Sequence, residues 1–334
     1  MKIAVDAMGG DRAPDVVLEG ARDALREWGD IDRLFLVGDQ ARLGPLCARL
    51  GLVDSRVAIV HAPETIGMDE PGAGAVRRKK RSSISVATDL VKSGEAHALL
   101  SAGNTGAVVA AATLKLRLLK GVQRAGIASP LPNEYGICNI LDAGANPDAR
   151  ASHLVQYALM GTAFARHVLG VDDPVVGLMS NGEEEGKGTR FTKQAHLLLK
   201  ETPGIHYIGN VEGHDLFESR LDVVLCDGFV GNVVLKACEA TAKAFSKWLK
   251  IELKRNPLRT LGAAMSRKAF AAIKEKASYE SYGGSPLLGV NGVVIISHGS
   301  SSALAIRNAI RVACESVSHR VNPHIEEALA ELEE

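Results

Sequence analysis

The residues best suited to chemistry sit in six short loops that mix glycine, hydroxyl, amide and acid. In Asp227-Gly228-Phe229-Val230-Gly231-Asn232, two glycines let the backbone approach a ligand. Asn232, at the mouth of the following helix, can cap it or offer its amide to an anion. Similar loops occur at Asp6-Ala-Met-Gly-Gly-Asp11, Ser101-Ala-Gly-Asn104-Thr105-Gly106, Asp142-Ala-Gly-Ala-Asn146, Ser180-Asn-Gly-Glu-Glu-Glu-Gly-Lys187-Gly188 and Ser297-His298-Gly-Ser-Ser301. One such loop is explained equally well by turn and cap chemistry. Six at the ends of apolar runs point to a site for something negative, and helix mouths at Asn104-Thr105 and Asn232 offer N–H groups to phosphate. His298 can carry a proton, although a lone histidine is more often structural.

Each loop follows an apolar run and precedes a helical spacing of apolar residues. The runs predict ten strands, at 2–6, 34–37, 57–60, 98–101, 127–129, 138–141, 175–179, 205–208, 222–226 and 293–296. Between most of them lie helical patterns, at 15–28, 40–49, 85–93, 106–119, 152–167, 191–201 and 233–248. This alternation predicts an α/β fold, a three-layer α/β/α sandwich. The stretch 63–74, with two prolines and three glycines, reads as loop, and 323–334 as a short acidic helix or a disordered end. Ligands of open α/β sheets bind beyond the carboxyl ends of the strands, so mostly parallel strands would bring these loops to one crevice.

The 334 residues are 46% hydrophobic and 23% charged, with 39 basic residues balancing 39 acidic ones. No global field points to nucleic acid, and recognition of charge falls to local patches. Arg77, Arg78, Lys79, Lys80 and Arg81 form one such patch, which reads as a solvated face or as a dock for an acidic partner or a phosphate. The segment 247–276 is another, with nine cations against two acids around the apolar residues Leu258, Leu261 and Met265. A helical hairpin with basic arms and an apolar tip suits an anionic bilayer surface; a solvated excursion or a dimer contact fits as well. Five cysteines without metal or redox spacing read as reduced and mostly buried. The amino terminus lacks a signal-peptide pattern, and no apolar run reaches the ~20 residues of a membrane span.

The motifs carry a specific resemblance. Val5-Asp6-Ala-Met-Gly-Gly-Asp11, Val76-Arg-Arg-Lys-Lys80 with Ser82-Ser83, Ser101-Ala-Gly-Asn-Thr-Gly106, Leu141-Asp-Ala-Gly-Ala-Asn146, Asp227-Gly-Phe-Val-Gly-Asn232, Tyr282-Gly-Gly and His298-Gly-Ser-Ser301 follow the order seen in bacterial phosphate acyltransferases. The chain resembles this family, PlsX, over nearly its whole length; Arg124-Ala125 departs from an expected Arg-Pro, and 247–276 is variable in the family. The resemblance implies a ten-stranded mixed sheet similar to phosphotransacetylases and isocitrate dehydrogenases. It implies one catalytic domain over 1–334 with two intertwined subdomains and the 247–276 excursion. The implied reaction passes a fatty acyl group from acyl carrier protein to inorganic phosphate, for phospholipid synthesis, without cofactor or metal. The implied setting is a cytoplasmic homodimer, peripherally bound to anionic membrane and working beside a downstream membrane glycerol-phosphate acyltransferase.

Lys187 and Asn232 are then the catalytic residues, Lys187 being the only lysine in these loops. Ser101, Asn104, Thr105, Gly228, Gly231 and His298 bind phosphate, while Asp6, Asp142 and Asp227 order the loops. The Arg77 to Arg81 run docks the carrier protein, and Leu258, Leu261 and Met265 touch the membrane. Two other functions stay open. A metal- and nicotinamide-dependent dehydrogenase on a similar fold would use Asp6, Asp11, Asp142, Asp227 and Glu183 to Glu185 for Mg²⁺, although no loop matches the dinucleotide fingerprint. A non-catalytic carrier-protein scaffold would keep the basic run and have no need of Lys187.

Overall fold

The structure, a computed structural model, describes residues 1–332. Its strands are β1 (Lys2–Asp6), β2 (Arg33–Gly38), β3 (Val57–His61), β4 (Ala98–Ser101), β5 (Gly126–Pro132), β6 (Ile137–Leu141), β7 (Val175–Met179), β8 (His206–Val211), β9 (Val223–Leu225), β10 (Ser285–Leu288) and β11 (Val293–Ile296). They form one sheet in the order β3-β2-β1-β4-β11-β10-β5-β6-β9-β7-β8. Helices cover both faces, as the alternation along each strand requires. Ile3 and Val5 pack into one apolar cluster and Ala4 into another, and Val223 and Leu225 part from Val224 in the same way.

The sheet has eleven strands among the described residues, one more than the sequence predicted. The additional strand, β10, is four residues long, contains Pro286 and follows Gly283-Gly284, so it lacks the signature of a strand. It pairs antiparallel with β11 through Ser285 and Pro286 and antiparallel with β5 through Leu287 and Leu288. With the antiparallel β5–β6 pair, it reverses the sheet. β1, β2, β3, β4 and β11 run one way; β6, β7, β8 and β9 run the other. Hence the carboxyl ends of the two parallel blocks lie at opposite edges of the sheet, and the loops do not gather at one edge.

Several helix limits also move. Gly72–Arg78 is helical, although glycines and Pro71 had suggested loop. A Cβ on Gly72 would lie 2.3 Å from the backbone of Gly106, so the missing side chain is what lets this helix lie directly on Thr105–Ala111. That second helix continues as a π-turn, Ala112–Leu116, rather than running to 119 as an α-helix. The helix after β9 starts at Gly228 and runs to Leu253, followed by helices Pro257–Met265 and Arg267–Ala277 that form the basic excursion. At the carboxyl end a helix spans Val321–Ala330; Glu333 and Glu334 of the predicted acidic tail lie outside the described residues. Among the described residues no helix is long and apolar enough to cross a membrane.

Candidate functional site

At one edge the loops after β6, β7 and β9 meet around Asp142. Its carboxylate is fully buried and accepts four backbone N–H groups: Ile127, Gly144 and Ala145 on Oδ1, at 2.9 to 3.0 Å, and Asn146 on Oδ2, at 2.6 Å. The start of the helix Gly228–Leu253 presses on this loop. A Cβ on Gly231 would lie 2.0 Å from the Asp142 carbonyl oxygen, and one on Gly228 would lie 2.6 Å from its carboxylate. These glycines, assigned to phosphate in the sequence, bring the helix backbone close to Asp142. Asn232 is not the cap. Asp227 caps the helix, accepting from Phe229 and Val230 N–H, and Asn232 falls in the second turn.

Asn232 is half-buried beside Gly144, whose φ of +134° favours glycine; a Cβ there would sit 3.6 Å from the Asn232 side chain. Among the described residues, nothing hydrogen-bonds to the Asn232 amide. Lys187 lies on the neighbouring loop at the same edge, its stem over Gly182 and its ammonium exposed. Three glutamates precede it, yet Glu185 pairs with Lys200 at 2.6 Å and Glu183 faces His214 at 3.9 Å, so Lys187 has no ion pair among the described residues. Glu183, Glu212 and His214 place potential metal-ligand atoms within 4.8 Å of one another, on exposed or half-exposed side chains.

The loops after β1, β4 and β11 meet at the other edge, around Asp6. Ser101 Oγ donates to Asp6 Oδ2 at 2.7 Å and accepts from Gly103 N–H, and Ser101 is fully buried. Asn104 caps its helix through Ala107 N–H and donates to the carbonyls of Gly67, Met68 and Glu70. Both side chains thus make hydrogen bonds within the protein and shape the loop that the sequence assigned to phosphate. Thr105 is exposed at the helix start. His298 is exposed, and its Nδ1 accepts from Ser300 N–H, which puts the proton of the neutral ring on Nε2. The strand order therefore places Lys187 and Asn232 at one edge, on the loops after the neighbouring strands β7 and β9, while Ser101, Asn104, Thr105 and His298 belong to the other. Asp6 also stands apart from Asp142 and Asp227, so the acids required by a Mg²⁺-dependent dehydrogenase do not share a site.

One helical segment joins the edges. Ala107, Val108, Ala111 and Ala112 face the core, together with Ala143 of the Asp142 loop. The other face of the segment, with Val109, Ala110, Thr113 and Leu114, lines an open groove of about 310 Å³ that also meets Ala73, Arg77, Gly144 and Ala145. In sequence these residues form part of the helical pattern over 106–119; the signal missed was that the apolar positions cover both sides of the helix. Arg77 also begins the basic run, in which Arg77, Arg78, Lys80 and Arg81 are exposed. Lys79 differs: it binds Glu70 at 2.6 Å and the Thr65 carbonyl, and so fastens the 62–71 loop. On the excursion, Leu258, Leu261 and Met265 are 80%, 60% and 81% exposed.

A sequence model of the family described as "Fatty acid synthesis protein" matches residues 1–324. A phosphate acyltransferase of Akkermansia muciniphila is 58% identical over 99% of this chain and 97% of its own. One from Pelotomaculum thermopropionicum is 50% identical over 100% and 96%. Among solved structures, a phosphotransacetylase from Streptococcus pyogenes superposes with a TM-score of 0.62, at 19% identity over 95% of this chain and 94% of its own, a likeness of fold.

Burial pushes the Asp142 carboxyl above its usual range, against the pull of its four N–H donors, and burial likewise raises Asp6. The folded protein thus keeps these protons to higher pH than the unfolded chain does. The stability this confers is complete below the ordinary carboxylate value and is lost as pH rises through the raised one. Asp142→Asn has no titrating group here and turns an N–H donor toward Asn146 N–H. It should lose about 1–3 kcal/mol. Urea unfolding of both proteins from about pH 4 to 7 should show the lower stability and a shallower pH dependence in the variant.

Proposed function

The chain belongs to the bacterial phosphate acyltransferase family, and from that membership we propose that it transfers a fatty acyl group from acyl-[acyl carrier protein] to inorganic phosphate, giving acyl phosphate for phospholipid synthesis. The observation that carries the site assignment is the state of Asn232 and Lys187. Asp142 and Asp227 are committed to backbone N–H groups and Glu185 to Lys200, while these two donors, on the loops after neighbouring strands of one edge, are not. An oxygen of the phosphate dianion attacks the thioester carbon, the C–S bond breaks, and the proton carried by phosphate goes to the departing thiolate. Lys187 holds phosphate and offsets the charge on the carbonyl oxygen, and the Asn232 amide donates to the same tetrahedral centre. Cys226 takes no part as nucleophile; burial holds its thiol well above the usual range.

The rest of the molecule fits a two-part catalytic domain at a membrane. The chain leaves the first parallel block after β4, builds the second, and returns through β10 and β11, which favours two intertwined subdomains in a single domain over 1–334. Phe245, Trp248 and Ile251 are exposed along the helix Gly228–Leu253, an apolar face that a second copy in a homodimer would cover. The basic excursion binds anionic membrane from the cytoplasmic side, where acyl phosphate reaches a membrane glycerol-phosphate acyltransferase.

Kinetics, stability and sedimentation test this reading. Lys187→Ala and Asn232→Ala should each lower kcat by roughly 10²–10³ with melting temperatures near that of the parent, since Asp227 is the cap. If Asn232→Ala keeps its turnover, phosphate must be sought at the Thr105 and His298 edge instead. Reversing Arg77 and Arg81 to Glu should raise the KM for carrier protein, more so at low salt, with phosphate dependence unchanged. Lys79→Ala should instead lower stability, as its ammonium ties down the 62–71 loop. Sedimentation should give a two-chain mass, and co-sedimentation should favour anionic over neutral vesicles. That preference should fade in salt and on Leu258→Asp with Leu261→Asp; equal binding to both vesicle types would refute the membrane role.

A further inference from the structure

We infer that the groove beside the helix Thr105–Ala111 and its π-turn holds the acyl chain of the donor and sets the chain length the enzyme prefers. The inference rests on the proposed reaction and adds to it the subsite for the substrate's apolar part. One end of the groove is lined by Gly144, where an added Cβ would come within 3.6 Å of the Asn232 side chain, so the groove ends close to the proposed reacting centre. Most of its side chains are apolar: Val109, Ala110 and Leu114 on the helix, with Ala73 and Ala145. Thr113 and Arg77 contribute the polar side chains there, and the helix backbone is engaged in its own hydrogen bonds. The apolar side chains offer few donors or acceptors to the amides of a prosthetic arm, whereas methylenes need none and gain from contact with them.

The dimensions fit this occupant. A volume of about 310 Å³ is at the lower end of the ~300–1,000 Å³ typical of small-molecule sites. From Gly106 to Leu114 the helix rises about 12 Å, and an extended chain advances roughly 1.2 Å per bond, giving room for roughly ten bonds. Arg77 ties the groove to the surface proposed to dock the carrier, so the chain and the protein that delivers it meet at one rim. Small side chains keep the groove open, and Ala110 is the position where added bulk would shorten it.

Ala110→Phe should lower kcat/KM for a hexadecanoyl donor by on the order of tenfold relative to a hexanoyl donor. A fluorescent hexadecanoyl probe should lose affinity to a similar extent. Val109→Leu, a smaller change on the same wall, should shift the profile in the same direction and serves if Ala110→Phe fails to fold, as judged by thermal melting. An equal loss for both donors in a folded variant would overturn the inference, because the groove would then hold a part common to all donors. An unchanged chain-length profile and unchanged probe affinity would also overturn it. The reaction itself is tested separately: a wild-type protein that binds the probe but makes no phosphate-dependent acyl phosphate would refute the proposed chemistry and leave the groove assignment standing.

Discussion

The buried carboxylate of Asp142 is the constraint around which this end of the molecule is built. A carboxyl group taken fully out of water needs hydrogen bonds to its remaining lone pairs, and here the local backbone provides four. Collecting Gly144, Ala145 and Asn146 N–H onto one side chain folds residues 142–146 into a tight turn. Asp142 N–H bonds to the Cys226 carbonyl and Cys226 N–H to the Leu141 carbonyl, so the turn is fixed to the end of β9. The following helix can then approach only where it has no side chains, which is why Gly228 and Gly231 stand where they do. Asn232 is the first residue beyond that contact to present a polar group beside Gly144. Its location is thus a consequence of how a buried charge is satisfied at the end of the neighbouring strand.

The reversed sheet explains why similar loops do different work. Both parallel blocks end their strands in short glycine-rich loops, because a strand turning into a helix over its own sheet needs compact residues and a cap in either direction. At the Asp6 edge these demands absorb the side chains: Ser101 holds Asp6, and Asn104 holds both its helix and the 67–70 loop. At the Asp142 edge the acids take on the same tasks and two donors are left over. The segment 105–116 runs between the edges, one face in the core and the other open, so the two ends of the molecule share a surface that neither parallel block makes alone.

Much of this was legible in the sequence, and the failures have physical causes. Ten of the eleven strands were visible as apolar runs, since a strand covered on both faces must be apolar on both sides. β10 was hidden by Pro286 and by dividing its pairing, two residues to each neighbour. The helix Gly72–Arg78 was hidden by the glycines that let it pack on its neighbour. Strand direction was not legible at all, because hydrophobic alternation is the same read either way, and direction decides which loops meet. In the site, Asp227 and Asn232 were equally good caps by residue type. The spacing of Gly228 and Gly231, three apart on what proves to be one buried helix face, was the available sign that the helix begins before Asn232.

A fold has strong reasons to leave no polar group unused in a buried or half-buried position, since each one left without a partner costs about as much as several favourable contacts return. The loops of this protein largely obey that rule, even within the basic run, where Lys79 serves the 62–71 loop while its neighbours face solvent. Against that background the free amide of Asn232 is informative in a way its sequence position is not. It is half-buried near Gly144, which also lines the groove, and the loop after the neighbouring strand carries Lys187, which has no ion pair among the described residues. A ligand with an anionic head, a carbonyl and an apolar tail would use the lysine, the amide and the groove together, and that combination, rather than any one motif, joins the structure to acyl transfer.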